Sequence, residues 1–344
     1  MPASIKDIAQ QAGVSTSTVS RVINGKDRVS ADTRERVNVA LNEHDYKPNE
    51  MARVLRGKRS KTIGAVVSDI SNNFFARIIK GAENAAREKG YNILICNTDS
   101  DPSMEKENVD LLLSKHVSGI IMASVSFKST FEEQENRGGV PFVYIDNLPK
   151  HTADYTSVSI NNVLAAQQLT EHLISRGHKN IAILAGSLEE SSGMERLEGW
   201  KKAMAGHSLP TLDCWITSGA FTIESGFRCT EELLVQKTRP TAILATNNFL
   251  AFGAVLALRR YGYNVPDDVS LAAFDINDET QLIVPKITSM NQPVIEFGQT
   301  AVELCLRQVQ QNGRRQYEQI TMPHVFVEGE SVAYVKDYAP AANK

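Results

Sequence analysis

The chain has 344 residues, 42% of them apolar and 22% charged, with a formal net charge of −3. That is ordinary globular composition, which excludes a mainly disordered polypeptide, and the length implies two or three folding units at ~150 residues each. No apolar run approaches the ~20 residues of a membrane span, and the opening MPASIKDIAQQ carries no apolar leader. Cys96, Cys214, Cys229 and Cys305 are too widely and irregularly spaced for a disulfide framework or a zinc site. The expected setting is the cytosol, with no membrane partner. Charge is divided unevenly, with eleven Lys/Arg against seven Asp/Glu in residues 1–60 and 26 against 33 in the remainder. A basic head on an acidic body points to a polyanion partner for the head alone.

In chain order, Ile5, Ile8, Ala9 and Ala12 share one face of a first helix, with Ser4 and Asp7 placed as a capping box. Gly13 breaks the run where a tight turn needs a residue tolerant of positive φ. Ser15 can cap a second helix carrying Val19, Val22 and Ile23 and ending at Asn24-Gly25; Ser30 can cap a third with Val37, Ala40 and Leu41 inward. Three short helices around one small centre fit a helix-turn-helix, although any small helical bundle shares the pattern. The outer face of the second helix is Thr16, Ser17, Ser20 and Arg21, a set suited to base edges and phosphates. The helix starts at Ser15 and Ser30 offer N–H groups to phosphates, while plain capping is the competing role for these hydroxyls. After Tyr46-Lys47-Pro48, Asn49 can cap a two-turn helix ending near Gly57, too short to be stable alone. Arg53, Arg56, Lys58, Arg59 and Lys61 surround it with positive charge, which a simple basic linker would also do.

The run IKDIAQQAGVSTSTVSRVINGKDRVSADTRERVNVALNEHDYKPNEMARVL resembles the DNA-binding head of the lactose-repressor (LacI/GalR) family. The resemblance implies that Thr16, Ser17 and Arg21 read bases and that Asn24 and the helix starts contact the backbone. It also implies that residues 49–61 form a hinge helix in the minor groove, with Leu55 wedged between base pairs; the unstacking cost is offset by the contacts a bend permits.

From Thr62 the chain alternates strands and helices. Strand-like runs are Thr62–Ser68, Tyr91–Cys96, Gly119–Ala123, Phe142–Ile145 and Val158–Ile160, then Asn180–Leu184, Cys214–Thr217, Ala242–Ala245, Val269–Phe274 and Ile287–Met290. Continuous apolar runs between amphipathic helices predict parallel sheets buried on both faces, and two series predict two α/β lobes. The helix Val294–Gln311 and the run His324–Val327 follow both series, so the chain is expected to cross between lobes more than once.

Ligands of open parallel sheets bind beyond the carboxyl ends of strands. There the sequence places Asp69, Asn72, Phe74 and Phe75, then Asp146 and Asn147, then Asn247 and Asn248, then Asp275. Each alone suits a helix cap or turn, but convergence would make a pocket for a polyhydroxylated molecule, with a Phe face against a sugar ring. Residues 62 to about 335 resemble the LacI/GalR effector domain, itself similar to periplasmic sugar-binding proteins. That resemblance assigns those residues, with Arg196 and Gln292, to effector binding; a surface ion pair of Arg196 with Glu195 or Glu198 is the alternative. Position 147 is often Arg in relatives with ribose-like or anionic effectors, and Asn248 replaces a common Asp, which leaves a neutral sugar or a monoanionic sugar acid.

No G-x-S-x-G, P-loop, G-x-G-x-x-G or H-E-x-x-H occurs, and the seven histidines show no ligand spacing, so an enzyme is not expected and no metal or cofactor is implied. The expected organisation is an α/β protein: a helix-turn-helix head at 1–48, a hinge at 49–61, a two-lobed periplasmic-binding-protein-like body with parallel sheets at 62–335 and a tail at 336–344. The first lobe takes about 62–161 and 293–323, the second about 162–291 and 324–335. The predicted role is a homodimeric repressor that binds double-stranded operator DNA under control of a small sugar-like effector. The alternatives are control by a phosphoprotein corepressor and a solute receptor without a regulatory role.

Overall fold

The computed structural model describes residues 3–23, 29–44, 60–128, 131, 139–149, 154–277, 282–311 and 316–335. The chain divides into two compact units, one up to Ser60 and one from Lys61 onward.

The first unit holds α1 (Ile5–Gln11), α2 (Thr16–Ile23) and α3 (Ala31–Glu43). Ser4 Oγ accepts the Asp7 N–H at 3.4 Å while the Ser4 N–H donates to the Asp7 carboxylate at 2.7 Å, a reciprocal cap that satisfies two otherwise orphaned donors. Gly13 turns at φ +65°, where a side chain would be strained. Ser15 Oγ accepts the Thr18 N–H at 3.2 Å and Ser30 Oγ the Thr33 N–H at 3.3 Å, so both serines cap their helices. Ile8, Ala9, Ala12, Val19, Val22, Val37 and Ala40 form the buried centre. Arg36 Nη1 donates to the Ala12 carbonyl at 3.2 Å, tying α3 to the end of α1. The expected stop at Asn24-Gly25, the hinge helix and Leu55 lie outside the described residues.

The second unit builds two sheets. Its first series is β1 (Thr62–Val67), α4 (Asn73–Glu88), β2 (Asn92–Asn97), α5 (Pro102–Ser114), β3 (Gly119–Met122), β4 (Phe142–Ile145) and β5 (Thr156–Ile160). The second is α6 (Asn162–Ser175), β6 (Ile181–Leu184), α7 (Ser191–Gly206), β7 (Ile216–Thr217), α8 (Ile223–Leu234), β8 (Ala242–Ala245), α9 (Asn248–Arg260), β9 (Ser270–Phe274) and β10 (Thr288–Asn291). Then come α10 (Val294–Gln310), β11 (Gln319–Met322) and β12 (Val325–Val327). Among the described residues the sheet orders are β11-β5-β4-β3-β1-β2 and β12-β10-β9-β8-β6-β7. The chain therefore passes between lobes three times: from β5 to α6, from β10 to α10, and from β11 to β12.

Three features depart from the sequence reading. Among the described residues all pairings are parallel except β10 with β12, which is antiparallel, because only a short turn separates β12 from the first lobe's last strand. β2 is an edge strand, not one covered on both faces, and leaves Leu94 and Ile95 37% and 44% exposed. Cys214 and Trp215 belong to a 3₁₀ turn over Asp213–Trp215, shortening β7 to two residues.

The helix layers pack closely enough to require glycine. A Cβ on Gly298 of α10 would stand 2.0 Å from the Ile78 carbonyl of α4, and one on Gly81 would stand 2.1 Å from the Ile295 carbonyl. Gly226 of α8 and Gly253 of α9 repeat the device in the second lobe, with Cβ positions 2.4 and 2.2 Å from the carbonyls of Leu250 and Ile223. Helix backbone thus meets helix backbone in both lobes.

Candidate functional site

On the head, Thr16, Ser17 and Arg21 are exposed along one face of α2 and Ser20 is half-buried. The Ser15 and Ser30 hydroxyls are occupied as caps, so their capacity for an anion rests with backbone N–H groups at the helix starts. Arg21 sits in the last turn of α2, where the helix dipole favours a cation.

In the body, strand ends from both lobes converge on a crevice. Its lining includes Ser68, Asp69, Asn72, Phe74 and Phe75 after β1, Ser100 after β2 and Asp146 after β4. The second lobe contributes Glu190, Ser192 and Arg196 around the start of α7, Phe221 after β7, Asn247 and Asn248 after β8, and Asp275 after β9. These enclose about 490 Å³ of space between atoms, part of it open to solvent.

Arg196 is the centre of the site. It is 3% exposed; its Nε donates to Asn162 Oδ1 at 2.9 Å and its Nη1 to the Thr246 carbonyl at 2.5 Å. Its Nη2 lies 3.8 Å from Asp146 Oδ1 and 3.9 Å from Asp275 Oδ2 and has no hydrogen-bond partner. The guanidinium stacks over Phe274 with 4.2 Å to the ring centroid, fixing its plane. The surface ion pair is thus ruled out: Glu198 pairs with Lys202 at 2.6 Å, and Glu195 accepts from Asn162 Nδ2 at 3.1 Å.

Asp146 and Asp275 are counterparts, each just beyond the fourth strand from the β2 or β7 side of its sheet. Both are left-handed, at φ 59° and 60°, a conformation Asp tolerates better than most residues. Gln292, in the crossing from β10 to α10, donates its N–H to Asp275 Oδ1 at 3.1 Å and its Nε2 to Asp275 Oδ2 at 2.9 Å. Burial pushes the Asp275 carboxyl up to about 6 against the opposing pull of Arg196 and Gln292; Asp146 is raised for the same first reason.

Asn72 and Asn248 exchange amide hydrogen bonds between lobes, at 3.2 and 2.9 Å. Asn72 also caps α4 through the Phe74 N–H at 3.0 Å, and Asn247 caps α9 through the Leu250 N–H at 2.8 Å. These two thus cap helices and line the crevice at once. Phe74 and Phe75 meet edge to face at 5.0 Å.

Of the expected pocket residues, Asp69, Asn72, Phe74, Phe75, Asp146, Arg196, Asn247, Asn248 and Asp275 come together in the lining. Asn147 and Gln292 do not line it: Gln292 braces Asp275 from behind, and Asn147 turns toward Glu190 and Ser192. Ser68, at the end of β1 beside Asp69, joins them, as do Ser100, Glu190, Ser192 and Phe221. The strand-end rule finds these last four only when it is applied to β2, β6 and β7 as well. Among the described residues no group of His, Cys, Asp or Glu could hold a metal ion, and no helix is long and apolar enough to cross a membrane.

Residues 4–49 match the family of bacterial regulatory proteins, lacI family, and residues 60–330 match the periplasmic binding proteins and sugar binding domain of LacI family. The chain is 34% identical over 321 residues to the HTH-type transcriptional repressor PurR of Haemophilus influenzae (strain PittEE), covering 92% of this chain and 95% of that one. It is 34% identical over 308 residues to catabolite control protein A of Priestia megaterium, covering 89% and 92%. Among solved structures, the lac repressor dimer bound to operator and the anti-inducer ONPF superposes with a TM-score of 0.83 at 28% identity, over 97% of this chain and all of that one. The complex of the regulator CelR with cellobiose gives 0.73 at 28%, over 96% and 99%.

Proposed function

The chain belongs to the LacI family, as a DNA-binding transcription repressor with a sugar-binding body rather than an enzyme, and from that premise we propose that its crevice takes a neutral, polyhydroxylated sugar as effector. The observation that carries this is the charge around Arg196. The lining's cation already serves Asn162 and Thr246 and stands between Asp146 and Asp275, with Asp69 also in the lining. A sugar acid would add another carboxylate where carboxylates already outnumber the cation. Hydroxyls fit instead: Asp146 and Asp275 accept from them, while Arg196 Nη2 and Ser68 Oγ, both buried without partners, donate to them. Hydrogen bonds to charged groups contribute about 1.5–3 kcal/mol each. Phe74, Phe75 and Phe221 cover the apolar face of the ring. The relatives that hold cellobiose and ONPF in this fold support the same ligand class.

Thr16, Ser17 and Arg21 are assigned to base reading, and Asn24 and the starts of α2 and α3 to the phosphate backbone. Residues 49–61, with Leu55, are assigned to the hinge, which follows the head directly and leads into β1. A change in lobe angle on effector binding would move that attachment, and a coupling of about 1–3 kcal/mol corresponds to a 5–150-fold change in operator affinity. Two heads are needed for a pseudo-palindromic site, as in the lac repressor dimer on its operator. The apolar edge at Leu94 and Ile95, with Met104 and Leu111 exposed one above the other on the neighbouring α5, supports dimerisation through the body. The head distinguishes this chain from a solute receptor.

A thermal-shift series tests the effector: neutral mono- and disaccharides against the matching sugar acids. A neutral sugar at ~100 times its Kd should stabilise the chain by about 2.7 kcal/mol, with the response abolished by Asp275→Ala. Preferential stabilisation by the acids would sink the assignment.

A further inference from the structure

The start of α7 has no cap of its own, since Glu190 occupies the cap position without a side-chain bond to the helix. The missing acceptor comes from the other lobe. Asn147, in the turn after β4, accepts the Ser192 N–H on its Oδ1 at 3.1 Å and donates through Nδ2 to the Glu190 carboxyl. Ser191 Oγ accepts the Leu148 N–H at 2.8 Å, the Glu189 carbonyl accepts the Phe127 N–H at 2.8 Å, and Lys128 Nζ lies 2.8 Å from the Glu189 carboxylate. Residues 189–192 of the second lobe are thereby stitched to the loops after β3 and β4 of the first.

The charges around Glu190 are mostly of its own sign. Asp146 comes from the turn after β4. Glu105 comes from α5, fully buried, with its carboxylate accepting the Val125 N–H at 2.7 Å. Arg196 comes from α7 and is committed elsewhere, Asp275 lies beyond it, and the Lys128–Glu189 pair is half-exposed or more. The N-terminus of α7 favours an anion, but by less than the cost of burying a carboxylate. Burial first, then Asp146, push the Glu190 carboxyl up to about 8; Asn147 and Arg196 pull the other way and Glu105 adds to the push.

We propose that Asn147 and Glu190 are positioning residues that form a proton-held latch across the crevice: with Glu190 protonated the lobes are drawn together, and loss of that proton favours their separation. In an opened crevice Glu190 would return toward 4.5, against about 8 when latched. Between those values the latched form keeps a proton that the open form has released. The latch is therefore strongest at and below 4.5, weakens as pH rises toward 8 and is flat beyond. One linked proton corresponds to a change of at most about tenfold per pH unit. The consequence for effector affinity rests on the crevice reading proposed above, but the latch itself needs no effector.

Backbone hydrogen exchange of the ligand-free full chain, followed from pH 5 to 9 and corrected for intrinsic base catalysis, tests it. The amides of Phe127, Leu148 and Ser192 report the latch. Those of Ile120 and Thr246, bonded to the Pro141 and Leu184 carbonyls within single lobes, serve as controls. Protection at the latch amides should fall with rising pH, approaching about tenfold per unit up to about 8, and then level off while the controls stay flat. Glu190→Gln should keep the protection and lower the slope by close to one proton; Asn147→Ala should lower protection at Ser192 at every pH. A slope untouched by Glu190→Gln, or latch amides that track the controls, overturns the proposal. Should Glu190→Gln fail to fold, as control amides would reveal, the wild-type slope decides alone. Absence of any sugar response with an intact latch slope would fault the effector reading only.

Discussion

Asp275 and Glu190 are carboxyls held above their ordinary range by burial, at about 6 and about 8, and their effect on stability has a definite sign. A folded chain that keeps protons its unfolded form has released loses stability as pH rises through that interval, by at most about 1.4 kcal/mol per unit for each proton linked. Between pH 6 and 8 the interval of Glu190 alone is crossed, so the melting temperature of the effector-free wild type should fall relative to that of Glu190→Gln as pH rises. A difference between the two that stays constant over this range would show Glu190 to be ionised in the fold. Such burial is not legible in residue type. Asp275 and Arg196 were found because each stands at a strand end or in a motif of known resemblance, whereas Glu190 sits in a loop before α7 with nothing to distinguish it from the neighbouring, half-exposed Glu189.

Element packing gives a contrast between glycines. Gly298→Ala would drive a Cβ to 2.0 Å from one backbone oxygen and 2.5 Å from a backbone nitrogen of α4, so α4 and α10 must separate. Overpacking of this kind costs about 1–3 kcal/mol or more. Gly206 ends α7 with nothing within 4 Å of its Cβ position, so Gly206→Ala should stabilise by about 0.5–1 kcal/mol. Chemical denaturation of the two variants checks both signs. Strands were legible in proportion to burial. β4 and β8 are unbroken apolar runs, fully buried, and their limits were read to the residue. β11, with Gln319 and Thr321 in an exposed edge of four residues, carries no such signal, and its partnership with β5 depends on contacts distant in sequence. The helix starts were plainer still, because Ser4, Ser15 and Ser30 announce themselves by local chemistry alone.

At the scale of the whole molecule, the uneven charge carries the DNA prediction. Operator affinity should fall steeply with added salt, log K declining by about 0.9 per phosphate neutralised for each tenfold increase. Arg21→Ala should cost about 1–3 kcal/mol and relax preference for one base pair, in gel-shift titrations against operator and random duplex. Ile95→Asp should yield monomers in sedimentation and weaken operator binding without lowering sugar affinity, since Ile95 is exposed on the edge strand away from the lining. The threefold passage between lobes has one more result. α10, β11 and β12 come last in the chain, yet they complete the helix layer and an edge of the first sheet and an edge of the second. Neither half of the body can be cut out as one continuous stretch of gene, and a ribosome that stops before Val294 leaves both halves unfinished. Nor does a single protease nick at one passage release either half, because two other spans still tether it. Such a nicked molecule should run as one particle on a native gel and as two fragments only once denatured.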